Sequence, residues 1–298
     1  MKKRFRKRKK LKKEVVIFSK FFLILTLVLF VQNSKLIKNF INYNASKYIK
    51  KKYIKNNENL SMAFYSEKNE KNDDLFLTKE SKDEELLIYI YNTHQTEKYL
   101  QANSLYNPTV MHASLYLSEL LNDNNLPSVV ENRSITDVLN ANGWAYGKSY
   151  KVSRLYLEDT YKKNSSIKYF FDIHRDAGSH DYTTICSVDK CYAKILFIVG
   201  LENPSYIQNE QFAENLSKRL NDKVNGLSKG ILQKQGKKVN GVYNEDFSPR
   251  LILIEIGGEN NTIDEVYNTV NVLSEVLTEY IKEEINYGRW KTKNTSIF

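Results

Sequence analysis

IKYFFDIHRDAG, Ile167–Gly178, is a run of bulky apolar residues that ends abruptly in a cluster of ionisable side chains. Near-continuous apolarity over Ile167–Ile173, in place of strict in–out alternation, predicts a strand covered on both faces. Three more runs read the same way: LLIYIY (Leu86–Tyr91), AKILFIV (Ala193–Val199) and LILIEI (Leu251–Ile256). Helical spacing fills the intervals between them. Val110, Ser114, Leu117 and Leu121 follow the 3.6-residue period after Pro108, and Phe212, Leu216 and Leu220 do so after Asn203–Pro204. There, Asn203 suits the N-cap and Pro204 the first helical position. Val266, Val270, Leu273, Leu277 and Ile281 make a last helix, opened by a Thr262-x-x-Glu265 capping box. The alternation predicts an α/β fold, a mostly parallel sheet flanked by helices on both faces.

In open sheets of this kind the reactive crevice lies beyond the carboxyl ends of the strands. Three of the predicted strands deliver polar groups there. The first runs into NTHQTE, with His94 and Glu97; the second into HRDA, with His174, Arg175 and Asp176; the last carries Glu255 and then Gly257–Gly258. Two imidazoles and a carboxylate are a standard ligand set for catalytic zinc, which makes His94, Glu97 and His174 the candidate ligands. Glu131 is an alternative third carboxylate. A carboxylate inside a buried strand is costly unless paired, protonated or near a metal, so Glu255 is the candidate general base, taking a proton from water and passing it to a leaving amine. Arg175 and Asp176 are candidates for substrate binding. Asp172 should point opposite to Ile173, toward a ligand histidine. Of the four histidines, His112 falls in a helix and His180 in a polar loop, and both are expected to be structural or solvated. There is no Walker, dinucleotide or G-x-S-x-G pattern.

The net charge of +10 suggests a nucleic-acid binder until it is located. Residues 1–55 hold 18 Lys/Arg and one acid, Glu14, a charge of +17 that leaves the remainder at −7 (10 − 17). A basic footprint on the folded body is therefore excluded, and no nucleic-acid partner is expected. The basic segment Lys2–Lys13 instead precedes seventeen mostly apolar residues, Val15–Val31. This predicts a single membrane anchor with a cytoplasmic N-terminus. A cleavable signal peptide is the competing reading, but no small-x-small site follows Val31. The expected organisation is a cytoplasmic segment over 1–14, a membrane anchor over 15–33, a stalk over 34–83 and an extracytoplasmic domain over 84–298. Cys186 and Cys191, in CSVDKC, flank a sequence suited to a hairpin, and outside the cytoplasm the pair is open to oxidation.

The ordered motifs IYNTHQTEKY (Ile90–Tyr99), SYKVSRLYLE (Ser149–Glu158), FFDIHRDA (Phe170–Ala177), AKILFIVGLENPSY (Ala193–Tyr206), GLSKGI (Gly226–Ile231), YNEDFSPR (Tyr243–Arg250) and LIEIGGENNT (Leu253–Thr262) resemble the stage II sporulation protein P family of endospore-forming Firmicutes. The resemblance covers about residues 85–285. It implies a membrane-anchored, zinc-amidase-like domain that acts on peptidoglycan. The reaction expected is cleavage between N-acetylmuramic acid and the first L-alanine of the stem peptide, with endopeptidase cleavage of cross-links as an associated activity. It also implies stage II sporulation proteins D and M as partners in engulfment. By motif, His94 and His174 correspond to zinc ligands and Glu255 to the catalytic glutamate, while Arg154 lies in a second motif near substrate. Where the family reads His-Thr-His, this chain has Asn92–Thr93–His94. A catalytically inactive peptidoglycan-binding scaffold, and a zinc endopeptidase acting on cross-links alone, are the alternatives.

Overall fold

A computed structural model describes residues 75–76, 85–100 and 107–295. The expected cytoplasmic segment and membrane anchor lie outside the described residues. The described part belongs to one unit, Asn72–Phe298. Its strands are β1 (Leu75–Phe76), β2 (Ile88–Tyr91), β3 (Ser128–Glu131), β4 (Tyr169–Asp176), β5 (Thr184–Cys186), β6 (Cys191–Ala193), β7 (Ile195–Gly200), β8 (Ser228–Lys234) and β9 (Leu251–Gly258). Its helices are α1 (Val110–Asp123), α2 (Ile135–Ala141), α3 (Ser149–Lys163), α4 (His180–Thr183), α5 (Tyr206–Lys223) and α6 (Ile263–Thr295).

Seven strands form one sheet in the order β1-β3-β2-β4-β9-β7-β8, and β5–β6 is a separate hairpin closed by a Cys186–Cys191 disulfide. Strands β3, β2, β4 and β9 run parallel; β7 is antiparallel to β9 and parallel to β8. The mostly parallel α/β sheet read from the apolar runs is present, with one refinement: β7 points the other way, so its carboxyl end lies away from those of β2, β4 and β9. An apolar run carries no mark of its own direction, so this was not legible locally. Leu75 and Phe76, within the stretch expected as stalk, pair antiparallel with Val130 and Glu131.

The two faces of the sheet are divided by strand parity. Tyr89, Tyr91, Phe170 and Leu251 pack with Leu157 of α3; fully burying each such apolar side chain contributes roughly 1.5–3 kcal/mol. On the opposite face Phe171 stacks on Phe212 of α5, and Phe212 meets Tyr280 of α6. Asp172 and His174 share the parity of Phe170 and therefore look toward α3.

Helix starts follow local chemistry. The Thr262–Glu265 capping box is made: the Thr262 N–H donates to Glu265 Oε2 at 2.8 Å, and the Glu265 N–H to Thr262 Oγ1 at 3.3 Å. At α1 the Thr109 N–H donates to His112 Nδ1 at 3.1 Å, and burial pushes this imidazole down to about 4. His112 is thus a neutral capping residue. Asn203 does not cap α5. Its Oδ1 accepts from the Ser205 N–H at 2.7 Å and its Nδ2 donates to the Gly200 carbonyl at 2.8 Å, a local turn that delays the helix to Tyr206.

Candidate metal centre

The chain leaves β2 through Asn92 and Thr93 and folds into a tight turn in which the Glu97 N–H donates to the His94 carbonyl at 3.1 Å. That turn brings both ends of the HxxE spacing to the end of β4. His94 Nδ1 lies 3.3 Å from Glu97 Oε1, and His174 Nδ1 lies 3.4 Å from Glu97 Oε2. Ligand atoms of these three residues all fall within 4.8 Å of one another, the one such group among the described residues. His174 Nε2, on the far side of its ring, is 3.0 Å from Asp172 Oδ1 yet makes no straight hydrogen bond. A ring whose second nitrogen faces a buried carboxylate while the first faces the cluster is the arrangement of a histidine ligand.

The electrostatics tie the His174 imidazole to the carboxylates on either side of it. Burial alone would raise the Glu97 carboxyl, but His174, His94 and the Arg175 N–H hold it at about 2. Burial would likewise lower the His174 imidazole, but Asp172 and Glu97 push it up to about 10. The cluster thus favours positive charge between its carboxylates. Two imidazoles, one carboxylate and an orienting aspartate fit zinc by donor type.

Glu255 stands beside this group by register, because His174 pairs directly with Glu255 across the β4–β9 ladder. In a parallel pair such residues project to the same face. Burial, then the charge of Asp176, pushes the Glu255 carboxyl up to about 7, against the lowering effect of His174 and Lys229. A carboxyl poised there can both take and return a proton near neutral pH.

The other sequence candidates divide. Asp172 is wholly buried; its two oxygens accept from the Thr93 N–H at 2.9 Å and Thr93 Oγ1 at 2.7 Å. Asp176 pairs with Lys229 of β8 and accepts from the Gly178 N–H at 2.9 Å. Arg175 donates to the Asp176 carbonyl at 3.0 Å and lines an open cleft with Thr96, Lys98, Tyr99 and Glu259, so it faces ground that a substrate can reach. Arg154 is held by Glu158 and Asp246 at 2.6 and 2.8 Å and is not among the cluster residues. Asn92 also stands apart: its Nδ2 donates to the Ile173 carbonyl at 2.6 Å and its Oδ1 accepts from Ser114 Oγ at 3.0 Å. Its carboxamide thus ties β2 to β4 and α1. Glu131 is held by Tyr89 and Arg133, outside the cluster. His180 pairs with Glu265 at 3.0 Å.

Sequence reasoning missed the aromatic wall and the second buried acid. Tyr146 stacks on His94 with centroids 4.9 Å apart, and Tyr150 meets His94 edge-on at 5.5 Å. Tyr150 lies in the SYKVSRLYLE motif and Tyr146 three residues before it, and no other signal pointed to them. Glu245 is fully buried; its Oε2 accepts from the Gly200 N–H at 2.7 Å while Oε1 has no partner. Burial pushes this carboxyl up to about 8, with Asp172 adding to the rise. A carboxyl whose folded value exceeds its unfolded one stabilises the fold fully below the unfolded value, and that stability is lost as pH rises through about 8. Glu245→Gln keeps the shape without the ionisation. In urea unfolding from pH 5 to 9 its stability should stay flatter than the parent's and exceed it at pH 9, by at most ~5 kcal/mol. Parallel pH profiles would refute this.

The sequence model of the family described as Stage II sporulation protein P (SpoIIP) matches residues 7–278. A curated Stage II sporulation protein P of Bacillus subtilis (strain 168) is 30% identical over 228 residues, covering 72% of this chain and 56% of that protein. The chain therefore spans little more than half the length of the curated relative. Two solved structures are looser likenesses. N-acetylmuramoyl-L-alanine amidase AmiC2 of Nostoc punctiforme gives a TM-score of 0.39 at 10% identity, over 67% of this chain and 99% of that one. A metallo-carboxypeptidase from Burkholderia cenocepacia gives 0.41 at 9% identity, over 70% of this chain and 60% of that one.

Proposed function

The chain belongs to the stage II sporulation protein P family, and from that premise we propose that it is a zinc-dependent N-acetylmuramoyl-L-alanine amidase that thins septal peptidoglycan during endospore formation. The observation that carries the reading is the convergence of His94, Glu97 and His174 with Glu255 in direct register beside His174. The same proposal places the domain outside the cell membrane on an N-terminal anchor, with stage II sporulation proteins D and M as partners and cross-link cleavage as a second activity.

His94, Glu97 and His174 would hold the ion, with Asp172 orienting the His174 ring. When bound, zinc supplies a water of lowered pKa and polarises the scissile carbonyl. Glu255 takes the proton of the attacking water and returns it to the departing alanine nitrogen, two transfers that need a carboxyl titrating near neutrality. Arg175, on the open cleft, offers a planar fork to a stem-peptide carboxylate. Tyr146, more than half exposed and stacked on His94, gives a flat apolar face at the entrance.

The test is metal analysis of the full chain together with mass spectrometry of sacculus digests. One zinc per chain is expected, with release of stem peptides carrying a free L-alanine amino group. Absence of zinc together with absence of that amino group would overturn the reading. Release of cross-link fragments alone would reassign the enzyme as an endopeptidase.

A further inference from the structure

We propose that Asn244 is a positioning residue of the metal centre, acting through Ser153, Thr93 and Asp172 on the His174 imidazole. The inference rests on the metal-site reading above. Asn244 belongs to the YNEDFSPR stretch, 70 residues after His174 in the chain, and none of the site roles above uses it.

The hydrogen bonds form one continuous line. Asn244 Nδ2 lies 3.0 Å from Ser153 Oγ and 3.3 Å from the Tyr150 carbonyl. Ser153 Oγ lies 2.8 Å from Thr93 Oγ1, and Thr93 Oγ1 lies 2.7 Å from Asp172 Oδ2. The other Asp172 oxygen faces His174 Nε2. Every member is buried, so bulk solvent does not compete for these bonds.

The direction of the line follows from what each group can do. The Tyr150 carbonyl only accepts, so the nitrogen of the Asn244 carboxamide, and not its oxygen, must face it and Ser153. Asp172, as a carboxylate, only accepts, so the Thr93 hydroxyl spends its one proton there. Ser153 Oγ has two acceptors in reach, Thr93 Oγ1 at 2.8 Å and the Tyr150 carbonyl at 3.2 Å, and its proton goes to the shorter contact, for which Thr93 has no proton left. Asn244 therefore donates to Ser153, Ser153 to Thr93, and Thr93 to Asp172. The donors converge on the carboxylate that orients the ligand histidine.

The backbone shows the same commitment. Tyr243 and Asn244 have φ of 52° and 61°, two successive non-glycine residues in the left-handed region. Asn tolerates that region and Tyr does so poorly. Such strain persists where the surroundings over-determine it. Here the turn sets the Tyr243 ring against Tyr150 at 5.5 Å, and Tyr150 lies stacked 6.4 Å from His174. One strained turn thus supports the metal ligands both through the hydrogen-bonded line and through the aromatic wall.

The experiment measures zinc affinity of the full chain by competition with a chromophoric chelator. Asn244→Asp keeps size and left-handed tolerance but replaces the donor with an acceptor; Asn244→Gly keeps the backbone and removes the donor outright. Each should weaken zinc binding at least ~10-fold in the parent, the range for residues that support a metal ligand. In a Thr93→Val background, where the line is already cut, each should change affinity less than about twofold, because coupled residues are not additive. Equal losses in both backgrounds, or no loss in the parent, would overturn the inference while leaving the metal site standing. A parent chain that takes up no zinc would overturn the metal-site reading itself.

Discussion

Glu255→Gln should lower the rate of stem-peptide release about a thousandfold while leaving the zinc content at one per chain. The size is that of a lost general acid–base group and corresponds to ~4 kcal/mol in the barrier. The glutamine preserves the packing of β9, so stability should not fall. It also removes a carboxyl that burial holds near 7, and with it the acid limb of the pH profile. In the parent, kcat/KM should drop tenfold per pH unit below the value at which Glu255 protonates. That limb should sit at or below pH 7, because a neighbouring bound cation favours the carboxylate. A variant that retains more than a tenth of parental activity would remove Glu255 from the mechanism.

His174→Ala should have a larger and different effect. It removes one of three ligands and also the cation-bearing partner of Asp172, whose side chain is wholly buried. An uncompensated buried carboxylate costs about 3–5 kcal/mol. The expected result is loss of zinc, loss of measurable hydrolysis and a drop in unfolding free energy of ~3 kcal/mol, with no recovery on adding zinc. Added zinc should stabilise the parent, by about 2.7 kcal/mol at a hundredfold excess over its dissociation constant. Equal stability of parent and variant across zinc concentrations would show that His174 holds no metal.

Much of this was legible from one-dimensional pattern. Mostly apolar runs of six or seven residues marked β2, β4, β7 and β9, because strands buried on both faces have no polar alternation to hide behind. The last helix announced its start through Thr262 and Glu265, whose capping bonds are local. β3 was not recognised. Its four residues SVVE end in a charge, and only Tyr89 and Arg133 make Glu131 tolerable there. Asn203 was misassigned as a cap for α5 because Asn at a turn and Asn at an N-cap have the same local signature.

For the site, the residue types and their places at strand ends followed from sequence, since parallel strands gather their carboxyl ends at one edge. Sequence alone thus determined the α/β class, the sheet edge at which the polar strand ends gather, and the candidates His94, Glu97, His174 and Glu255. Tertiary structure decided the rest: the pairing of His174 with Glu255, the reversed course of β7, the diversion of Asn92 to structural bonding, and the line from Asn244 to Asp172. Those depend on contacts across 22 to 91 residues of chain, whose partners are chosen by register and packing. A local pattern records which way a side chain wants to face, and only the closed sheet determines what it meets there.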